Sequence, residues 1–163
     1  MKKPVKTNVA RLLDKAGLQY ETVPYTVDES DLSAVHVAEQ LGEDIRCVFK
    51  TLVLAAGPSQ HFVCVIPGDA EVDLKKAARA AGVKKAEMLP LKELQPLTGY
   101  IRGGCSPIGM KRPLPTFFDE SALQHPHIYV SAGIRGLQLK IAPADIIGYV
   151  GAATAPLTKD TTD

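Results

Sequence analysis

Two apolar runs, "IRCVFKTLVLAA" (45–56) and "HFVCVIPG" (61–68), stand on either side of the short, turn-like "GPSQ". Nothing else in the chain restricts its fold as tightly. β-branched and aromatic residues bounded by Gly, Pro and Ser read as strands, and a short connection makes an antiparallel hairpin the simplest pairing. Alternation along 46–54 is imperfect, which fits a strand covered on both faces. Lys50 lies inside that run, between Phe49 and Thr51. A lysine there must run its stem along apolar surface to water, pair with an acid, or face a cavity. It is either a rim lysine or a cation suited to a phosphate, a ribose hydroxyl or a carboxyl-derived oxygen.

The rest of the chain mixes helices and strands without regular βαβ alternation. "TNVARLLDKAG" predicts a first helix, capped by Thr7 and closed by Gly17, with Val9, Leu12, Leu13 and Ala16 as its stripe. "LQYETVPY" predicts a strand and "TVDESD" a polar loop. "LSAVHVAEQLG" predicts a second helix with Val35, Ala38 and Leu41 on one face. "DLKKAARAAG" predicts a third, with Asp73 as cap and Gly82 as stop. "AEMLPLKELQPLTG" reads as a short strand or turn and a short helix disturbed by Pro96, and "YIRGGCSPIGMKRPLP" as a long loop. "TFFDESAL", "HIYVSAG" and "LQLKIAPADIIGYVG" supply three strands and a last helix. The pattern predicts an α+β (mixed α/β) fold with one curved, barrel-like, mostly antiparallel or mixed sheet and flanking helices. At 163 residues the chain fits one domain, taken as 1–152, with 153–163 as a loose polar tail.

Composition narrows the function classes. Charged residues make up 23% and the formal net charge is +1, so contact with nucleic acid needs a local patch or a partner protein. No stretch reaches the ~18 apolar residues of a membrane span, and the N-terminus lacks a signal-peptide apolar run, so a cytoplasmic protein is expected. The three cysteines show no metal spacing. Cys47 and Cys64 read as inert thiols in strand cores. Lys75, Lys76 and Arg79 share a side of the third helix, with Lys84 and Lys85 beyond; a solvated face and an RNA-backbone contact both fit.

Two small-residue turns remain. "RGGCSPIGMKR" (102–112) puts Gly103 beside Gly104, where backbone amides can approach an oxyanion or phosphate. It matches neither a dinucleotide fingerprint nor a P-loop. "YVSAGIRG" (129–136) offers Ser131, Gly133 and Gly136, but "VSAG" is no nucleophile elbow, and His36, His61, His125 and His127 have no triad context.

Taken in order, "VFKTLV", "DLKKAARAAGVKKAEM", "TGYIRGGCSPIGMKRPLPTFFDES" and "IYVSAGIRGLQLKIAPADI" resemble the YbaK/EbsC family over residues 7 to 150. These are stand-alone editing proteins related to the insertion domain of bacterial prolyl-tRNA synthetase, and the chain is most similar to the YbaK branch of Cys-tRNA(Pro) deacylases. The resemblance implies Lys50, Tyr25, Gly103 and Gly104 as catalytic residues. It implies Thr51, Ser131, Gly133 and Gln138 as substrate-binding residues, with Gln138 where family members can carry an aspartate after "RGL". It further implies release of cysteine from tRNA(Pro) by the substrate's own thiol, with no protein nucleophile, metal or cofactor. Cys105 is then a bystander. A transient complex with prolyl-tRNA synthetase is expected. A water-mediated deacylase of Ala- or Ser-charged tRNA, or a non-catalytic aminoacyl-tRNA or synthetase-binding module, are the alternatives.

Overall fold

β2 (Phe49–Ala55) and β3 (His61–Pro67) form the expected antiparallel hairpin, with Lys50 opposite Ile66 and Thr51 opposite Val65. The computed structural model describes residues 6–160; the ends of the expected domain and tail, 1–5 and 161–163, lie outside the described residues. The hairpin begins later than its apolar run suggests. Ile45–Cys47 is a single 3-10 turn, because the Asp44 carboxylate accepts the Arg46 N–H and caps it. Cys47 is therefore not a core strand thiol. It is half-buried in that turn and donates its S–H to the Asp44 carbonyl at 3.0 Å. Cys64, on β3, is fully buried as expected.

Five helices flank the strands: α1 (Asn8–Ala16), α2 (Ala34–Leu41), α3 (Leu74–Ala81), α4 (Leu94–Thr98) and α5 (Pro143–Val150). Thr7 and Asp73 cap α1 and α3 through their side chains, and Ser33 caps α2 in the same way. On α2 the buried face is Val37 and Ala38; Val35 is 41% exposed, so the expected stripe is rotated by part of a turn.

The remaining strands are β1 (Glu21–Pro24), β4 (Glu87–Met88), β5 (Thr116–Asp119), β6 (Ile128–Ser131), β7 (Leu137–Ile141) and β8 (Ala153–Ala155). They form a three-stranded antiparallel sheet, β1-β7-β6, and a five-stranded sheet, β4-β2-β3-β5-β8, in which β3, β5 and β8 are mutually parallel. One parallel bridge, Val48 to Tyr129, joins the two sheets. The principal core lies between them, where Phe49, Val53 and Val65 meet Val130, Leu139 and Ile141, with Val9 and Leu13 of α1 and Ile146 of α5. The opposite face of β2 and β3, Leu54, Phe62, Cys64 and Ile66, packs on Ala77 and Ala78 of α3. Both faces of the hairpin are covered, and that removes the need for strict alternation.

The tail is a correction. Residues 153–155 extend the five-stranded sheet beside β5, and Leu157 is fully buried in the α3 cluster. The Leu157 N–H donates to Asp119 Oδ1 at 3.0 Å, its carbonyl accepts the Asp73 N–H at 2.8 Å, and the Lys159 N–H reaches the Glu71 carbonyl. One leucine among polar neighbours is a weak sequence signal, yet its burial sets the path of the segment. Leu157→Ala is expected to lower unfolding free energy by about 2–5 kcal/mol in urea titration; an unchanged midpoint would show that this contact contributes nothing.

Candidate functional site

Beyond the Val48–Tyr129 bridge the two strands part. Lys50 and Thr51 pair across to β3, while Ser131 pairs with Gln138 of β7. A cleft of about 510 Å³ opens between them, within the size range of small-ligand sites. Val48 and β2 as far as Val53 run along it. The structure brings Lys50, Thr51, Tyr25, Gly103, Ser131 and Gln138 to this one cleft. Tyr25 is fixed there by its backbone N–H, which donates to the Gly136 carbonyl at 2.9 Å.

The electrostatics of the cleft are one-sided. Lys50 and Arg102 line it, and among the described residues no aspartate or glutamate does. Lys50 makes no salt bridge among the described residues, and burial lowers the pKa of its ammonium, opposed by the more distant Asp69 and Glu71. Two buried polar atoms, Thr51 Oγ1 and Gln138 Oε1, have no hydrogen-bond partner among the described residues. Such atoms are costly unless something fills the cleft and bonds them. Ser131 Oγ accepts the Gly133 N–H at 3.2 Å, which leaves its own proton free to donate.

Each of the two turns brings one of its expected site residues to the cleft, Gly103 and Ser131, and leaves another outside it. Gly103 lines the cleft at φ +86°, and its N–H has no intramolecular partner among the described residues. The Gly104 N–H donates to the Ile101 carbonyl at 2.9 Å, so it is not a free oxyanion donor. Gly104 instead lets two loops touch: a Cβ there would lie 3.2 Å from the backbone of Ile134 and Arg135. Gly133 is likewise outside the cleft, packed on Val9 and Tyr100. Lys75, Lys76 and Arg79 are on α3, away from the cleft lining, and Lys76 bonds the Thr158 carbonyl and Asp160. Cys105 does line the cleft, but burial pushes its thiol up to about 12, so it is protonated at neutral pH.

Sequence reasoning missed Gly68, Arg102 and the apolar wall of Met88, Leu89, Leu91 and Leu94. Gly68 had a legible signal, a glycine directly after an apolar strand. A Cβ on it would stand 2.4 Å from Ala34 Cβ and 2.9 Å from the Val48 carbonyl, so it lets α2 close onto the bridge. Among the described residues no cluster of His, Cys, Asp or Glu is arranged to hold a metal ion, and no helix is long and apolar enough to cross a membrane.

In family comparison, the model described as "Aminoacyl-tRNA editing domain" matches residues 28–149. The chain is 47% identical to an Enterococcus faecalis protein named "Putative Cys-tRNA(Pro)/Cys-tRNA(Cys) deacylase EbsC", covering 94% of this chain and 93% of that one. A crystal structure described as "a putative trans-editing enzyme for prolyl tRNA synthetase" superposes with a TM-score of 0.80 at 26% identity, over 94% of this chain and 99% of the other. That of "hypothetical protein APE2540" superposes with a TM-score of 0.85 at 22% identity, over 93% and 99%, and shares the fold.

Lys50→Met tests the electrostatics of the cleft. The folded protein releases the Lys50 proton more readily than the unfolded chain does, so the unfolded state binds more protons between the lowered pKa and the ordinary lysine value of 10.5. The folding penalty of this ammonium is thus full at lower pH and fades as pH rises through that window. Lys50→Met should be the more stable protein at neutral pH, and its margin over wild type should shrink towards pH 10.5 in urea titrations. A pH-independent margin would mean Lys50 is fully solvated.

Proposed function

The chain belongs to the aminoacyl-tRNA editing domain family, and from that premise we propose that it releases cysteine from mischarged Cys-tRNA(Pro), with Cys-tRNA(Cys) as a second substrate. The observation that carries this reading is the unpaired, half-buried Lys50 in an acid-free cleft whose single lining thiol, Cys105, stays protonated. Such a cleft offers positive charge and hydrogen bonds to an ester but no activated protein nucleophile. The nucleophile is then the substrate's own thiolate. Its sulfur attacks the ester carbonyl, a C–S bond forms, the bond to the ribose oxygen breaks, and the thiol proton ends on that ribose hydroxyl. The products are a cyclic thiolactone and free tRNA.

The residues have distinct parts in this mechanism. The Lys50 ammonium and the Gly103 N–H meet the oxyanion as it develops, where fixed donors are worth most. Thr51, Ser131 and Gln138 bond the aminoacyl moiety, and Tyr25 closes the side of the cleft. Holding thiolate and carbonyl in attack geometry supplies the remaining rate enhancement. Correct charging of tRNA with its amino acid is the setting this activity implies, hence a cytoplasmic protein that meets prolyl-tRNA synthetase transiently.

Purified protein mixed with Cys-, Ser-, Ala- and Pro-charged tRNA(Pro) tests the reading. Cysteine should be lost fastest, with thiolactone as first product. Loss from Ala-tRNA but not Cys-tRNA would replace the thiol mechanism with attack by water. No loss above buffer would leave a binding module. Lys50→Ala should lower the deacylation rate at least about a hundredfold with the fold intact. Cys105→Ser should stay within a few-fold of wild type; an inactive, folded variant would make the protein thiol the nucleophile.

A further inference from the structure

Two arginines stand on the loops around the cleft with no salt bridge among the described residues. Arg102 lines the cleft and is exposed. Arg135 comes from the β6–β7 turn, and its Nε–H donates to the Arg102 backbone carbonyl at 2.8 Å. That bond draws the Arg135 side chain across Gly103, where an added Cβ would lie 3.3 Å from Nε and 3.5 Å from Cγ. Glycine at 103 therefore makes room for a guanidinium as well as a positive φ. Neither arginine makes a salt bridge among the described residues, and no carboxylate lines the cleft beside them. Two arginines from neighbouring loops thus meet beside Gly103 at the edge of the cleft that Lys50 lines, and each keeps its guanidinium without an ionic partner among the described residues. The positive side chains of α3 lack this setting, since Lys76 is already bonded to Asp160 and none of them reaches the cleft.

We propose that Arg102 and Arg135 form an anion subsite that grips the phosphodiester next to the esterified nucleoside, so the RNA 3′ end enters over the Gly103 loop rather than along α3. This rests on the proposed substrate: an aminoacyl ester on a terminal ribose carries its nearest negative charge one phosphodiester away, on the solvent side of the cleft. Guanidinium suits that anion because its fork of donors matches two phosphate oxygens at once. Lys50 meets the ester and the arginine pair meets the backbone, so binding and chemistry are read by different cations. Arg135 also ties the β6–β7 turn that follows Ser131 to the Gly103 loop, so occupation of the subsite braces both sides of the cleft.

Binding is measured without catalysis, by fluorescence anisotropy of a short labelled single-stranded RNA ending in CCA, across a salt series. Arg102→Ala is the cleanest variant, because Arg135 bonds only its backbone carbonyl. Arg102→Ala and the Arg102→Ala/Arg135→Ala pair should weaken binding about tenfold or more. The slope of log K against log salt should fall by about 0.7, the value for one single-strand phosphate contact. Affinity for adenosine, which lacks the phosphate, should change far less than affinity for the RNA. An unchanged salt slope with an unchanged urea midpoint would overturn the subsite. So would a larger loss in Lys75→Ala/Arg79→Ala than in the arginine pair, which would move the contact to α3. Arg-dependent RNA binding by a protein that deacylates nothing would keep the subsite and discard the proposed reaction.

Discussion

The bridge between Val48 and Tyr129 is the contact on which the site depends. It joins two sheets that otherwise pair only within themselves. If pairing continued past it, β2 and β6 would seal together and no cleft would exist. Past it the strands diverge: β2 goes on with β3 and β6 with β7, and the facing edges at Lys50, Thr51 and Ser131 do not pair with each other. The gap left between them is lined by polar side chains from both sheets, Lys50 and Thr51 on one side and Ser131 and Gln138 on the other. α2 secures the junction: Val37 and Ala38 pack on Val48 and Tyr129, the Tyr129 hydroxyl donates to Glu43 at 2.8 Å, and Gly68 permits the close approach.

The chemistry follows from what that gap excludes. A cleft walled by β2 and by Met88, Leu89, Leu91 and Leu94 is apolar enough to strengthen every interaction inside it. Within it stand one unpaired ammonium, a free backbone amide, and two orphaned polar atoms. The fold bears their desolvation cost because the core on either side of the hairpin is closely packed and does not rely on them. In the proposed reaction these groups meet the charge that develops on the ester oxygen, and the nucleophile comes from the substrate.

How far the site was legible depended on the residue. Lys50 was readable, because an ammonium in an apolar strand has few inexpensive explanations. Ser131 and Gly103 were readable as small-residue turns, and family resemblance added Tyr25, Thr51 and Gln138. The resemblance also grouped Gly104 and Gly133 with the site, although the first closes a turn with Ile101 and the second packs on α1. Glycine in a motif signals that space is tight, but not whether a ligand or another loop occupies it. Arg102 stood in plain view in "RGGC", yet an exposed arginine means little until Arg135, 33 residues away, is found bonded to it.

The sequence by itself determined the local elements and their order: capped helices, an antiparallel hairpin, an α+β chain, and a lysine whose strand gives it no partner. Those are short-range matters of periodicity, capping and solvation, and each is decided within about ten residues. Tertiary structure alone decided which strands meet at Val48 and Tyr129, and that Leu157 ties the end of the chain into the core. It also decided that the cations at the cleft are Lys50 and Arg102, while Lys76 is taken up by Asp160. These depend on contacts between distant residues, and on which polar groups are already bonded when the sheets come together.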